Sequence, residues 1–119
     1  MLDYMIRCRR DLHRIPELEQ KLTETCAYVR RELEQLHCTV ETPTEGAVCA
    51  WFDAGKPDAI AFRADMDALP ITEQTGLPFA SVHPGKMHAC GHDGHTAMLL
   101  GLARVLEQRR GALRHNVLL

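Results

Sequence analysis

Apolar residues recur every three or four positions in three parts of the chain and alternate or run together in four others, and this pattern orders the expected elements. Leu2, Met5, Ile6 and Leu12 fall near helical spacing between Arg7, Arg9, Arg10 and Asp11, which predicts a helix over residues 2–14. Pro16 stops it, because the residue before a proline is pushed out of the helical region. Leu22, Cys26, Val29, Leu33 and Leu36 predict a second helix over 22–36. Thr23 or Thr25 would cap it, and Arg30, Arg31, Glu32 and Glu34 would form its wet face. Short strands are expected at 39–42, before Pro43, and at 47–52, between turn residues. The apolar run at 59–64 suits a central strand covered on both faces.

Residues 65–91 carry Pro70, Gly76, Pro78, Pro84 and Gly85, the composition of a long loop, and long loops in compact domains are usually functional. Met98, Leu99, Leu102, Val105 and Leu106 predict a third helix over 96–110, with Gly111 where a glycine cap belongs. Residues 115–119 begin another strand, and the chain ends inside it. Termini usually fray in polar sequence, so a piece of a longer protein is expected. Helices and strands in this order give an α/β chain of 119 residues, one small domain at most.

Charge narrows the partners. The formal net charge of -2 supplies no field for nucleic acid or an anionic membrane. No apolar run approaches the roughly 18 residues of a membrane helix, and residues 1–10 do not read as a signal peptide. The five cysteines, Cys8, Cys26, Cys38, Cys49 and Cys90, are odd in number and have no framework spacing. Reduced thiols in a soluble, cytoplasmic protein are the simpler reading.

The histidines change the picture most, because four of seven, His83, His88, His92 and His95, crowd into residues 81–96. Cys90 and His92 flank Gly91, which lets the backbone bend until both side chains reach one centre. Thiolate and imidazole are ligands for zinc and its borderline neighbours. Asp93 could add an oxygen ligand or orient an imidazole. The helix expected from Thr96 would aim its amide dipoles back at this loop. Two blander readings remain open: Cys90 as a small buried hydrophobe among ordinary histidines, or as a nucleophile with a histidine base. Asp65 and Asp67 stand where the apolar strand gives way to loop, the position where open α/β sheets bind ligands. They would point the same way if the strand continued through them. There they could orient metal-bound histidines or hold a second cation; alternatively they are turn-forming aspartates in water. The stretch His13-Arg14-Ile15-Pro16-Glu17 reads as a helix stop with a structural role, and Trp51 as core.

Three stretches together resemble the amidohydrolase branch of the aminoacylase and carboxypeptidase family of metallopeptidases, which includes hippurate hydrolases, N-acyl-amino-acid amidohydrolases and auxin-conjugate hydrolases. They are Arg10-Asp11-Leu12-His13-Arg14-Ile15-Pro16-Glu17-Leu18, Phe62-Arg63-Ala64-Asp65-Met66-Asp67-Ala68-Leu69-Pro70-Ile71, and residues 85–101 around Met87-His88-Ala89-Cys90-Gly91-His92-Asp93-Gly94-His95. The resemblance implies that residues 1–119 are the N-terminal part of a three-layer α/β/α catalytic domain with a mixed central sheet, the rest of that domain and an inserted dimerisation domain lying outside the chain. It implies two divalent cations per site, with metal ligands at Cys90 and His92 and supporting acids at Asp67 and Asp65. Related peptidases place a histidine ligand where Asp65 stands. A general-base glutamate, the glutamate ligand beside it and two further histidine ligands are expected after Leu119. The longer protein would be a homodimer or higher oligomer.

The expected function is therefore metal-dependent hydrolysis of the amide bond of an N-acyl amino acid, a related conjugate or a small peptide. Thiolate ligation argues against magnesium and calcium and leaves zinc or manganese, with cobalt and nickel as alternatives. The rival readings are a non-catalytic metal-binding module and an inactive homologue, and residues 1–119 alone are expected to be inactive.

Overall fold

The computed structural model describes all 119 residues. The elements follow in the order α1 (Leu2–Arg14), α2 (Thr23–Leu33), β1 (Thr39–Glu41), β2 (Cys49–Phe52), β3 (Ala59–Ala61), α3 (His92–Gln108), a 3₁₀ turn (Arg110–Ala112) and β4 (Asn116–Leu118). The four strands form one mixed sheet in the order β1-β2-β4-β3. β1 and β4 both pair antiparallel with β2, and β3 runs parallel to β4. The last strand thus enters between β2 and β3, which makes β3 an edge. The run at 59–64 is accordingly not a covered central strand: it ends at Ala61, and all three of its residues are exposed.

Side-chain parity decides which face is core. Ala50, Phe52 and Val117 pack against Cys8 and Leu12 of α1, Tyr28, Val29 and Leu33 of α2, and Ala97, Leu100, Ala103 and Leu106 of α3. Burying Phe52 and Leu12, each 1 % exposed, contributes about 1.5–3 kcal/mol apiece. Because Ala50 and Phe52 take the inward positions, Trp51 must point to the opposite face. There it lies half-buried beside Thr39, Glu41, Cys49 and Leu118, so the expectation of a core tryptophan fails. All three helices contribute to the core on the other side. The Met5 side chain of α1 lies directly against Gly101 of α3, where a Cβ would meet Met5 Sδ at 2.5 Å.

The ends of the helices depart from the periodicity. No threonine caps α2. Instead the Glu17 carboxylate accepts hydrogen bonds from the main-chain N–H of Glu24 (3.2 Å) and Thr25 (2.8 Å). The helix stops at Leu33 rather than 36, and Glu32 is not on a wet face: it is 4 % exposed and accepts from Tyr4 Oη (3.0 Å), Arg7 Nη2 (3.2 Å) and Arg104 Nη2 (3.4 Å). At the far end of α3, Gly111 sits inside the 3₁₀ turn instead of forming a left-handed cap, and Arg109 N–H donates to Val105 and Leu106 carbonyls.

Main-chain hydrogen bonds help to hold the long irregular segment from Phe62 to Gly91 in place. Leu69 and Met87 exchange main-chain hydrogen bonds of 3.0 Å in both directions, Ala68 N–H donates to Glu17 O (2.7 Å), and Val82 N–H donates to Arg14 O (2.8 Å). The first of these sets the Asp67 and Cys90 segments side by side. No helix is long and apolar enough to cross a membrane.

Candidate metal centre

α3 begins at His92, four residues before its expected start, with Gly91 as its N-terminal cap at φ +106°. That left-handed geometry suits glycine, and the Gly91 carbonyl accepts from Gly94 N–H (3.0 Å) and His95 N–H (3.1 Å). Cys90 therefore stands just outside the helix and His92 on its first turn, where the unpaired amides favour negative charge such as a thiolate. The Cys90 side chain is solvent-exposed.

His92 Nδ1 donates towards the main-chain oxygen of Asp67 at 2.9 Å and its carboxylate Oδ1 at 3.1 Å. Both partners accept only, so the hydrogen belongs on Nδ1 and the lone pair on Nε2. This is the arrangement of a metal-ligating histidine held by a carboxylate behind it.

Asp65 does not share this task. The strand ends before it, so parity does not align the two aspartates. Asp65 Oδ1 accepts from Arg63 Nη2 at 2.6 Å, and its main-chain oxygen accepts from Thr96 Oγ1 at 3.3 Å. Asp65, Asp67 and His92 border a cavity of about 880 Å³ whose other walls include Phe62, Met66 and Leu99; Cys90 lies outside that lining.

Asp93 is 2 % exposed and fully engaged. Its Oδ2 accepts from His13 Nδ1 (2.7 Å) and Arg9 Nε (2.9 Å), and its Oδ1 accepts from Gly94 N–H (2.9 Å). Of the two roles open to it, offering an oxygen to a metal is the one these bonds oppose. His13 was legible only as part of a helix stop. Its partner lies 80 residues away, so no local spacing could reveal the pair. His95 lies beside His92 with ring centroids 6.0 Å apart and the rings tilted by 36°. His88 is 4 % exposed and neither ring nitrogen has a protein partner; burial holds its pKa below the ordinary histidine value.

Within this chain no three His, Cys, Asp or Glu side chains converge on one point. The donor chemistry, a thiol at Cys90 and a pre-oriented imidazole at His92, fits part of a borderline-metal shell.

The profile of peptidase family M20/M25/M40 matches residues 61–119. The chain is 45 % identical over 115 residues to an N-acyl-L-amino acid amidohydrolase of Geobacillus stearothermophilus, covering 95 % of this chain and 31 % of that protein. It is 42 % identical over 120 residues to an IAA-amino acid hydrolase of Arabidopsis thaliana, covering 100 % of this chain and 27 % of that one. Among solved structures, a Bacillus subtilis protein described as a dinuclear metal-binding peptidase of the M20 family superposes with a TM-score of 0.89 at 47 % identity, over 96 % of this chain and 33 % of that chain. The chain thus spans roughly a third or less of the length of these relatives, and over that span it shares their mixed α/β fold. With the expected motif, the fold and these relatives in agreement, residues 61–119 carry the pattern of peptidase family M20/M25/M40, and the chain as a whole is similar to members of that family.

Proposed function

We propose that the protein containing this chain is a metal-dependent amidohydrolase that cleaves the amide between an acyl group and an amino acid. The observation that carries this reading is His92, its Nδ1 committed to Asp67 and its Nε2 left free, two residues from the exposed thiol of Cys90. The names of the relatives, an N-acyl-amino-acid amidohydrolase and an IAA-amino acid hydrolase, support the substrate class. The dinuclear peptidase supports two cations.

In this reading Cys90 and His92 hold metal, and Asp67 fixes the tautomer and direction of the His92 ring. A bound divalent cation supplies Lewis acidity to water and to the scissile carbonyl. Zinc or manganese is the proposed cation, with cobalt and nickel as alternatives, and the Cys90 thiol with the His92 imidazole favours zinc among them. Asp65, turned to Arg63, sets charge at the cavity rim. The general base and the remaining ligands come from outside residues 1–119, so these residues alone bind and orient but do not turn over substrate. A closed structural metal site would need four protein donors, and two neighbouring donors at the start of α3 do not favour it. The thiolate role of Cys90 also implies a reducing, cytoplasmic setting.

The test is Cys90→Ser in the full-length protein, with metal content and hydrolysis of N-acetyl amino acids measured together. Both should fall. Wild-type metal content and rate in that variant would overturn the assignment.

A further inference from the structure

We propose that His13 is a positioning residue for the metal centre: it clamps the first turn of α3 through Asp93 and ties that turn to the 73–81 loop through Glu73. The inference rests on the metal reading of Cys90 and His92.

The clamp is built from buried groups. His13 is 1 % exposed and Asp93 2 %, and the Glu73 side chain is 4 % exposed. His13 Nδ1 lies 2.7 Å from Asp93 Oδ2, and Nε2 lies 3.1 Å from Glu73 Oε1. Carboxylates only accept, so the pairing is complete when both ring nitrogens donate. Each carboxylate is anchored further. Asp93 takes Arg9 Nε at 2.9 Å and Gly94 N–H at 2.9 Å. Glu73 takes Ser81 N–H at 2.7 Å and the Thr75 hydroxyl. Burial by itself would raise the Glu73 pKa, but the hydrogen bonds from Thr75, Ser81 and His13 outweigh it and hold the group below its usual value. Phe79, in the same loop, meets the His13 ring edge-on at 5.8 Å, and Arg9 lies over Phe79.

The place of this cluster gives it a role beyond stability. Asp93 is bonded directly to His92 in the chain, so the clamp holds the His92 main chain while Asp67 holds its ring. Two buried or half-buried acids therefore secure one imidazole from different sides. The other buried acid network, Glu32 with Tyr4, Arg7 and Arg104, joins the same helices but touches no residue of the metal loop.

The experiment is a cobalt(II) titration of the metal-free full-length protein, reading the dissociation constant and the thiolate-to-cobalt absorption band. His13→Gln, whose amide can replace Nε2 but not Nδ1, should weaken cobalt binding on the order of 10-fold and shift the band. His13→Asn places its amide near Nδ1, keeps the Asp93 bond and should recover most of the affinity. Glu73→Gln should weaken binding in the same direction but less, and it carries the test if His13→Gln fails to fold. Glu32→Gln is the control: it should lower the melting temperature and leave cobalt affinity unchanged. The proposal is overturned if His13→Gln and Glu73→Gln bind as wild type does, if Gln and Asn at position 13 are equivalent, or if Glu32→Gln weakens binding as much. Unchanged cobalt binding and band in Cys90→Ser would instead sink the metal reading itself.

Discussion

His92 Nδ1 lies 2.9 Å from the Asp67 main-chain oxygen and 3.1 Å from its carboxylate, so one aspartate meets the ring with two acceptors. The redundancy grades the expected effects. Asp67→Ala leaves the carbonyl contact and removes the carboxylate, and metal affinity should fall about 10-fold, the low end for groups behind a ligand. Asp67→Asn keeps an oxygen at the same place and should fall less. Chelator-competition titration of the full-length protein measures both; equal loss in the two variants would show that charge, not hydrogen bonding, is what Asp67 contributes.

Glu17 works at two sites from one residue. Its carboxylate caps α2 at Glu24 and Thr25, and its main-chain oxygen holds Ala68 next to Asp67. Glu17→Ala removes the cap but not the main-chain bond. Urea denaturation should show a loss of about 1–2 kcal/mol, the size of a good N-terminal cap, with metal affinity preserved.

Gly46 and Gly76 separate backbone conformation from crowding. Both have left-handed φ, +72° and +66°. A Cβ at Gly46 would lie 2.5 Å from the Gln20 carbonyl oxygen, whereas nothing lies within 4 Å at Gly76. Gly76→Ala should cost about 1–3 kcal/mol from conformation alone. Gly46→Ala should cost clearly more, because backbone must move. Equal melting temperatures for the two variants would contradict the Gly46 contact.

Acid should weaken the helix layer through Glu32. Burial acts to raise its pKa, but hydrogen bonds from Arg7, Tyr4 and Arg104, with the Arg7 charge, outweigh it and the net shift is downward. A carboxyl with a lowered folded pKa contributes stability that is fully present above its unfolded value, about 4.3, and is lost as pH falls through the folded value. The difference in melting temperature between wild type and Glu32→Gln should therefore be largest near neutral pH and shrink below about pH 4. A difference independent of pH would show that the ionised carboxylate is not the stabilising form.

Local pattern was enough for the elements whose periodicity faces the core. β2 was legible from its apolar run, because a strand repeats its buried positions at alternate residues. α1 was legible as an element from Leu2, Met5, Ile6 and Leu12, although Leu2 and Ile6 are exposed and its buried residues are Cys8, Leu12 and His13. The residue types of the candidate site were legible too, since Cys90, His92 and Asp67 carry chemistry in the side chain itself. The start of α3 was not: His92-Asp93-Gly94-His95 is polar because that turn faces the candidate site, so it resembles loop. Nor were the edge position of β3, the outward face of Trp51, the burial of Glu32, or the His13–Asp93 pair; that an aspartate could orient a histidine was legible, but that Asp67 and not Asp65 meets His92 was not. Each of these depends on which distant segment arrives alongside. β4 enters the sheet between β2 and β3 from more than fifty residues beyond Ala61, and His13 meets Asp93 across 80 residues. Spacing rules carry only as far as one turn or one pleat, whereas burial and hydrogen-bond pairing are settled by the packing of the whole chain.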